Sequence, residues 1–301
     1  MPSVTGDQPG SCVTCGGSLA FFGTRDAYTY ARCSQCGTLQ LSPFPSAEDL
    51  ERAYSEHYAR SGHYGTDGAA IFESAGPFYR AVLEELRRAS LPPGPILDVG
   101  CGWGGMCRLL RENKYEYLGI DFESESLEYC RTLSLNVRPG SLSTLAGQEG
   151  RYSAILLLGV FEHLHDHAEL LDQAVKLLKP GGVLLMLTPT ARLYTIVARL
   201  RQRLLSTSEL PELHAAFCPP WHTAIFSVRG ARRLIEEHGF VIDRLVPSPS
   251  GKNTGAIRFV QVLATLVARG GSAVFGTGWP LVLTHIFVCR KCPLPSVDPL
   301  R

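Results

Sequence analysis

The sequence predicts an α/β fold with a doubly wound parallel sheet. From Ile96 onward, short apolar strands alternate with helical segments, and Ala154–Leu158 is apolar at every position. This alternation is typical of parallel sheets, because a helix usually forms each crossover between parallel strands. A strand that is apolar throughout indicates a central position covered on both faces. Ahead of Ile96, two pairs of cysteines predict a separate small module.

The other elements follow from local patterns along the chain. Leu91-Pro-Pro-Gly-Pro95 marks a boundary, since proline and glycine interrupt regular structure. Pro180-Gly181-Gly182 is expected to end the helix before it. The predicted strands are Ile96–Val99, Tyr115–Ile120, a short one near Val137, Ala154–Leu158, Val183–Leu187, Phe240–Leu245 and Leu281–Val288. The predicted helices in this region are Gly104–Asn113, Ser124–Leu133, His167–Leu178 and Arg229–His238.

Composition narrows the possible partners. The chain has 301 residues, and its 29 Lys and Arg residues balance 28 Asp and Glu residues, giving a net charge of +1. This balance provides no broad positive field, so a nucleic-acid partner is not expected. The first residues lack a basic start and an apolar run, and no apolar stretch reaches the roughly 20 residues of a membrane span. We therefore expect a cytoplasmic protein without a membrane span.

The two cysteine pairs have the spacing of a zinc site. Cys12-x-x-Cys15 and Cys33-x-x-Cys36 are separated by seventeen residues, as in four-thiolate sites. Zinc binding supplies folding free energy that so short a segment lacks. Four cysteines leave no open coordination position, so the pattern predicts a closed, structural zinc site.

The first strand of the sheet runs into a glycine-rich turn. Asp98 lies at the strand end, and Gly100, Gly102 and Gly104 let the backbone turn tightly and approach a ligand at the start of a helix. The next strand ends at Asp121, where an acidic side chain can accept hydrogen bonds from both hydroxyls of a ribose. The pattern predicts a site for a nucleoside-containing cofactor.

Two cofactors compete for this pattern. Gly100-x-Gly102-x-x-Gly105 formally matches the dinucleotide fingerprint, so an NAD enzyme is one interpretation. Asp98 favours a different cofactor, because its carboxylate attracts a cationic amino group and repels a pyrophosphate. A long segment also precedes the first strand, whereas dinucleotide-binding folds often begin with that strand.

Several motifs in order resemble class I S-adenosylmethionine (SAM)-dependent methyltransferases. They are Leu97-Asp-Val-Gly-Cys-Gly-Trp-Gly104, Gly119-Ile-Asp121, Phe161-Glu-His-Leu164, and Leu178-Lys-Pro-Gly-Gly182 followed by Thr188-Pro189. The resemblance covers about residues 94–245 and is closest to small-molecule methyltransferases of the ubiquinone-biosynthesis type. The cysteine pairs are similar to those of bacterial members that carry a zinc ribbon ahead of the same domain.

The resemblance implies a Rossmann-like seven-stranded sheet with SAM and zinc as cofactors. It implies a zinc ribbon at 1–45, a helical linker at 46–93, the methyltransferase domain at 94–292 with a lid insertion at 190–228, and a tail at 293–301. The cofactor-binding residues it implies are Asp98 and the turn of Gly100, Gly102 and Gly104 for the methionine end, Asp121 for the ribose, Ser141 near the adenine, and Leu158 and Gly159 beneath the cofactor. Ser141 and Ser153 stand where the family usually has an acidic residue.

The segment from Phe161 to His167 contains three histidines. It is one residue short of the metallo-β-lactamase pattern, so a hydrolytic metal site is not expected. Some ubiquinone-type methyltransferases bind a divalent ion here through two glutamates and a histidine. Glu162 and His163 match two of those ligands, but Gly159 stands in place of the first glutamate. The alternative interpretation is that Glu162 and His163 brace the loop.

The insertion at 190–228 carries the main catalytic candidate, His222. A histidine titrates near neutrality, so it can act as a general base, with His163 as the second candidate. The alternative is a histidine that holds a loop through hydrogen bonds. Within the insertion, Leu193–Leu205 has helical apolar spacing. Residues 255–269 form a second amphipathic stretch, for which packing over the pocket or a homodimer contact is favoured over a membrane surface.

Three functions remain open from the sequence. No Asn/Asp-Pro-Pro-Tyr motif follows the fourth strand, which favours methylation of an oxygen or carbon of a small molecule such as a sugar, polyketide or other metabolite. The second is an RNA methyltransferase whose ribbon grips RNA, which the near-neutral charge and the few basic ribbon residues, Arg25 and Arg32, oppose. The third is a non-catalytic interaction protein, which the intact glycines and Asp121 oppose.

Overall fold

The structure, a computed structural model, describes residues 10–58, 68–211, 216–249 and 256–292, and for 53–58, 68, 71, 256–261 and 277 it describes the backbone alone. The predicted tail at 293–301 lies outside the described residues. The chain divides into two compact units. We call Met1–Ser61, Glu162–His167 and Pro189–Leu234 the ribbon unit, and Gly62–Phe161, Ala168–Thr188 and Ile235–Arg301 the core unit. The cysteine pairs and the insertion therefore belong to one unit.

Strands and helices alternate through most of the described chain. The strands are β1 (Leu19–Arg25), β2 (Tyr28–Cys33), β3 (Leu39–Leu41), β4 (Ile96–Val99), β5 (Tyr117–Asp121), β6 (Val137–Pro139), β7 (Tyr152–Leu158), β8 (Leu178–Pro189), β9 (Ala224–Ile225), β10 (Phe240–Pro247) and β11 (Thr284–Lys291). The helices are α1 (Ala47–Tyr58), α2 (Gly68–Arg88), α3 (Gly105–Glu112), α4 (Ser124–Thr132), α5 (His167–Leu177), α6 (Ala191–Leu205), α7 (Val228–Glu237) and α8 (Ala256–Phe275). Short 3₁₀ helices lie at Leu142–Leu145, Phe161–His163 and Gly276–Gly278.

The core unit is built on a seven-stranded sheet with the order β10-β11-β8-β7-β4-β5-β6. Five adjacent strands, from β8 to β6, run parallel, and β10 pairs antiparallel with β11. Val99 of β4 pairs with Ile120 of β5 and Leu157 of β7, so the carboxyl ends of these strands lie at one edge of the sheet. The prediction of a seven-stranded α/β sheet is confirmed.

Apolar burial fixes the central strands of this sheet. Ile155, Leu156 and Leu157 of β7 are fully buried, as the continuous apolar run predicts. Each such side chain contributes about 1.5–3 kcal/mol relative to an exposed position. The start of β8 differs from the expectation. The strand begins at Leu178, which pairs with Tyr152, so the Pro-Gly-Gly stretch lies inside the strand and does not precede it.

The ribbon unit has a four-stranded sheet with the order β1-β2-β3-β9. The first three strands pair antiparallel, β1 with β2 and β2 with β3. The fourth comes from the insertion: Leu39 pairs with Ile225 and Gln40 with Ala224. The sequence does not predict this two-residue strand, which joins the ribbon and the insertion into one sheet.

The two amphipathic segments form helices α6 and α8. In the parts of the chain that the structure describes, no helix is long and apolar enough to cross a bilayer. On α8, Leu263 and Val267 are 62% and 39% exposed, while the side chains of Ile257 and Val260 lie outside the described residues. The predicted homodimer contact stays a prediction.

Candidate functional site

The glycine-rich turn connects β4 to α3 in the core unit. Gly100, Gly102 and Gly104 all have positive φ, a conformation that residues with a Cβ rarely adopt. Gly102 has φ +48°, and a Cβ added there would meet no atom within 4 Å. The backbone at Gly102 therefore faces open space, as a turn that receives a ligand requires.

Asp121 at the end of β5 braces this turn. Its Oδ2 accepts a hydrogen bond from the Gly102 amide at 2.7 Å. Its Oδ1 accepts hydrogen bonds from the amides of Phe122 at 2.7 Å and Glu123 at 3.0 Å. A carboxylate has about four lone-pair positions, so three are used by the backbone. The predicted bidentate contact to a ribose must therefore share or replace one of these bonds.

Asp98 is the most buried carboxylate of the turn, at 2% exposure. Its Oδ2 accepts a weak hydrogen bond from the Cys107 thiol at 3.4 Å. Burial raises the pKa of Asp98 to about 7, and the negative charge of Asp121 adds to the rise. Within the described residues, no ion pair joins Asp98 to a cationic side chain. A cationic amino group of a ligand suits this carboxylate, because it would offset the cost of the buried charge.

Tyr79 on α2 is a residue of this region that the sequence did not single out. A Cβ added at Gly105 would lie 2.3 Å from the Tyr79 ring, so the glycine makes room for that ring. The third glycine of the dinucleotide fingerprint is thus explained by packing. No periodic or motif pattern links a residue on the preceding helix to this turn, so only the structure reveals the pair.

The other predicted cofactor-binding residues also lie in the core unit. Leu158 ends β7, and Gly159 has φ +72° and donates its amide hydrogen to the Leu187 carbonyl at 2.9 Å. The Ser141 hydroxyl lies 2.7 Å from the Ser143 hydroxyl, just before a 3₁₀ helix. The predicted roles of these residues toward a cofactor stay predictions.

The four predicted zinc ligands come together in the ribbon unit. The sulfur atoms of Cys12, Cys15, Cys33 and Cys36 lie within 4.8 Å of one another. Cys12 and Cys36 are 3.6 Å apart, and Cys15 and Cys33 are 3.5 Å apart. Tetrahedral zinc with Zn–S bonds of about 2.3 Å holds sulfur atoms about 3.8 Å apart. The donor set and its geometry are therefore compatible with zinc.

Two threonines contact this cluster, and no sequence motif singles them out. The Thr14 hydroxyl is 3.2 Å from the sulfur atoms of both Cys12 and Cys36, and the Thr38 amide donates to Cys36 at 3.5 Å. Hydrogen bonds from Cys12, Thr14 and Thr38 lower the pKa of the Cys36 thiol, and the shared hydrogen bond with Cys36 raises the pKa of Cys12. A thiolate is the form that binds zinc, so these contacts favour a metal-ligating cysteine.

The histidine segment and the insertion meet in the ribbon unit. The rings of His163 and His222 are 4.7 Å apart and nearly perpendicular. Potential ligand atoms of Glu162, His163 and His222 lie within 4.8 Å of one another. Thr223 holds the two segments together, since its amide and hydroxyl donate to the Glu162 carbonyl at 2.8 and 3.1 Å. The structure thus brings together both catalytic candidates, which are far apart in sequence.

The tautomer of His222 follows from its hydrogen bond. Nδ1 lies 2.9 Å from the Ala216 carbonyl, which can only accept. Nδ1 therefore carries the hydrogen, and Nε2 of the neutral ring carries the lone pair. Burial, with a smaller contribution from His222, lowers the pKa of His163 to about 3. The His163 ring is therefore held neutral near pH 7.

Comparison with known proteins identifies the family. The family model described as a methyltransferase domain matches residues 73–245, more than half of the chain. This chain belongs to the methyltransferase domain family. The resemblance inferred from the glycine-rich turn, Asp121 and the Phe161–Leu164 motif is thereby confirmed.

Two relatives and one solved structure illustrate the similarity. A probable SAM-dependent methyltransferase of Mycolicibacterium smegmatis is 27% identical over 48% of this chain and 60% of its own length. A ubiquinone biosynthesis O-methyltransferase of Chelativorans sp. is 29% identical over 42% of this chain and 46% of its own length. The chain thus spans about half the length of these curated relatives.

The solved structure supports the fold of this methyltransferase-family chain. It is the 1,6-didemethyltoxoflavin-N1-methyltransferase of Burkholderia thailandensis with bound 1,6-didemethyltoxoflavin and S-adenosylhomocysteine. The match has a TM-score of 0.52 and 15% identity, and it covers 89% of this chain and 97% of that chain. At this identity the likeness shows a shared fold alone.

Proposed function

We propose that this chain transfers the methyl group of SAM to an oxygen or carbon of a small-molecule acceptor. The main supporting observation is the turn between β4 and α3 in the core unit. The backbone at Gly102 faces open space there, and the neighbouring strands β4 and β5 carry Asp98 and Asp121 at their ends. Family membership supports the reaction, and the names of the curated relatives support a small acceptor. The near-neutral charge argues against RNA as the acceptor.

The cofactor is assigned to groups of the core unit. Asp98 would bind the amino group of the methionine moiety, and Asp121 the ribose hydroxyls. The turn from Gly100 to Gly104 would contact the methionine end, and Ser141 would lie near the adenine. Leu158 and Gly159 would lie beneath the cofactor. When bound, SAM supplies an electrophilic methyl group on a sulfonium. The ordered backbone around Gly102 would position that group without rearrangement.

We assign the role of general base to His222. Transfer of a methyl group to a hydroxyl releases a proton, and Nε2 of His222 carries a lone pair that can accept it. The bond from Nδ1 to the Ala216 carbonyl fixes the ring and stabilises the imidazolium that forms.

The cysteine cluster is assigned a structural zinc ion. All four positions are thiols, so no coordination position remains for a substrate. The strands β3 and β9 have only three and two residues, and a tetrahedral metal would connect β2 to the turn before β3.

Calorimetry tests the cofactor assignment. SAM is expected to bind and NAD is not, since a pyrophosphate is repelled by Asp98. The acceptor is then sought by measuring S-adenosylhomocysteine release with hydroxylated aromatics, sugars and polyketides. Binding to NAD in place of SAM would overturn the cofactor assignment. Tight RNA binding that weakens steeply with salt would overturn the small-molecule acceptor in favour of RNA.

The His222→Ala variant tests the base. General-base catalysis is typically worth about 10²–10⁴-fold in rate, so turnover should fall by that range while SAM affinity stays nearly unchanged. His165→Ala is the matched control, because His165 lies in the same unit and is exposed. If His222→Ala turns over at the wild-type rate, the residue braces a loop and His163 becomes the next candidate. Activity that follows added divalent ions and is lost in Glu162→Gln would assign the cluster to a metal.

A further inference from the structure

The backbone that follows His222 is part of the ribbon sheet. Thr223 comes next, and β9 begins immediately after it. The Leu41 amide of β3 donates to the Thr223 carbonyl at 2.9 Å, continuing the β3–β9 pairing. Any displacement of β3 is therefore transmitted to the residue next to His222.

Tyr30 donates a hydrogen bond directly to the backbone of His222. It lies on β2 with no exposed surface, and its hydroxyl donates to the His222 carbonyl at 3.3 Å. Its ring packs edge-on against Phe217, with centroids 5.2 Å apart. Burial raises the pKa of Tyr30, so the hydroxyl keeps its hydrogen and remains a donor. Tyr30 therefore holds the start of the segment 222–227.

Thr38 holds the other end of this segment. Its hydroxyl accepts a hydrogen bond from the Ser227 amide at 3.2 Å and lies 3.4 Å from the Ser227 hydroxyl. The Thr38 amide in turn donates to the sulfur of Cys36. Tyr30 is on the strand that ends at Cys33. One end of the segment is thus bonded to the strand that ends at Cys33, and the other end is bonded to Thr38, whose amide donates to Cys36.

We propose that the metal-loaded ribbon positions His222, with Tyr30 and Thr38 as the positioning residues. This inference rests on the proposed role of His222 as base. The cysteine cluster fixes the ends of β2 and β3, these strands fix the segment 222–227, and that segment sets the direction of the His222 ring. The ribbon then contributes to methyl transfer by positioning His222.

The first test uses Tyr30→Phe in zinc-loaded protein. The change removes the hydroxyl and keeps the ring, so hydrogen exchange of the His222 and Thr223 amides should rise about five- to tenfold. In ¹⁵N-histidine spectra, the Nδ1–H tautomer of His222 should lose population. Once an acceptor is known, kcat should fall while KM and SAM affinity stay within about twofold. Tyr28→Phe is the matched control, because Tyr28 lies on the same strand and is 39% exposed.

The second test uses two variants of Thr38, so that it does not depend on the Tyr30→Phe result. Thr38→Val removes the hydroxyl at nearly constant shape and should raise exchange at Ser227, while Thr38→Ser should restore the wild-type rate. Removing zinc with a chelator should produce the changes of both variants together. Wild-type exchange and tautomer in Tyr30→Phe and Thr38→Val would overturn the positioning role. If these signals change but His222→Ala turns over normally, the proposed base is wrong and the coupling between ribbon and segment still stands.

Discussion

In the core unit the two candidate cofactor-binding carboxylates lie on strands, whereas in the ribbon unit the two candidate catalytic histidines lie on a short 3₁₀ helix and a loop. Asp98 and Asp121 belong to β4 and β5, which form the interior of a seven-stranded sheet. His163 and His222 are held by hydrogen bonds from side chains such as Thr223 and Tyr30. The acidic groups of the core unit therefore depend on apolar packing, and the histidines of the ribbon unit depend on a few hydrogen bonds and on a cysteine cluster that is compatible with zinc. Four experiments sharpen this difference.

The largest expected effect is the loss of the ribbon's metal. Cys33→Ser removes a fully buried ligand, and structural zinc sites in small peptides contribute about 10–16 kcal/mol of binding free energy. We expect zinc content to fall from one per chain to nearly none and exchange protection to be lost in β1, β2, β3 and β9. Protection of β4 and β7 and the affinity for SAM should change little. Elemental analysis measures the zinc content, and hydrogen exchange measures the protection of each strand.

A cysteine outside the cluster provides the control for this experiment. Cys292→Ser changes a partly buried thiol beyond the end of β11 and should leave metal and protection unchanged. A Cys33→Ser protein that keeps its zinc and its stability would refute the structural site. If β4 loses as much hydrogen-exchange protection as the ribbon strands, the core unit also depends on the cysteine cluster, and the proposed difference between the units is wrong.

The next effect concerns Asp121. Asp121→Ala removes the acceptor of three backbone amides as well as the proposed ribose ligand. Loss of a charged acceptor costs about 1.5–3 kcal/mol, which is about 10- to 150-fold in the Kd for SAM. Asp121→Asn keeps one acceptor oxygen and should lose less. Calorimetry with SAM gives both values, and unchanged affinity in the alanine variant would remove Asp121 from the cofactor site.

Local sequence patterns predicted much of the core unit for a physical reason. The continuous apolar run of β7, the glycine turn and the acidic residue at the end of β5 each follow from neighbours in sequence. The clustering of the four cysteines was likewise predicted from the spacing within each pair. Such features carry their own periodicity or spacing, so no knowledge of distant contacts is needed.

The remaining features depend on contacts between distant residues. β9 has two residues, too few for any alternation to be visible, and it becomes a strand only because β3 lies beside it. The bond from Tyr30 to His222 and the packing of Tyr79 on Gly105 likewise join segments that share no motif. A sequence could suggest Tyr30 as a buried aromatic residue, but not the carbonyl to which it donates.

The smallest expected effect is a pH dependence of SAM binding at Asp98. Its folded pKa is raised to about 7 by burial, so near pH 6 most of this carboxyl is protonated in the ligand-free protein. An ammonium group binds the ionised form, so binding near pH 6 should release about one proton. SAM should bind about five- to tenfold more weakly near pH 6 than near pH 7.5. Calorimetry in buffers of different ionisation enthalpy measures the affinity and the proton release together.

The same pKa has a consequence for stability, and its sign is opposite to that of a paired carboxylate. A raised acid pKa means that the unfolded chain loses this proton first, near pH 4, while the folded chain keeps it until about pH 7. Asp98 therefore stabilises the ligand-free fold least above pH 7. Asp98→Asn should raise the free energy of unfolding near pH 8 by about 1–4 kcal/mol and leave it nearly unchanged near pH 4. The same variant should bind SAM weakly at every pH, with no proton release. If Asp98→Asn is no more stable than the wild type near pH 8, burial does not disfavour the ionised carboxylate, and the charge on Asp98 is already compensated before any ligand binds.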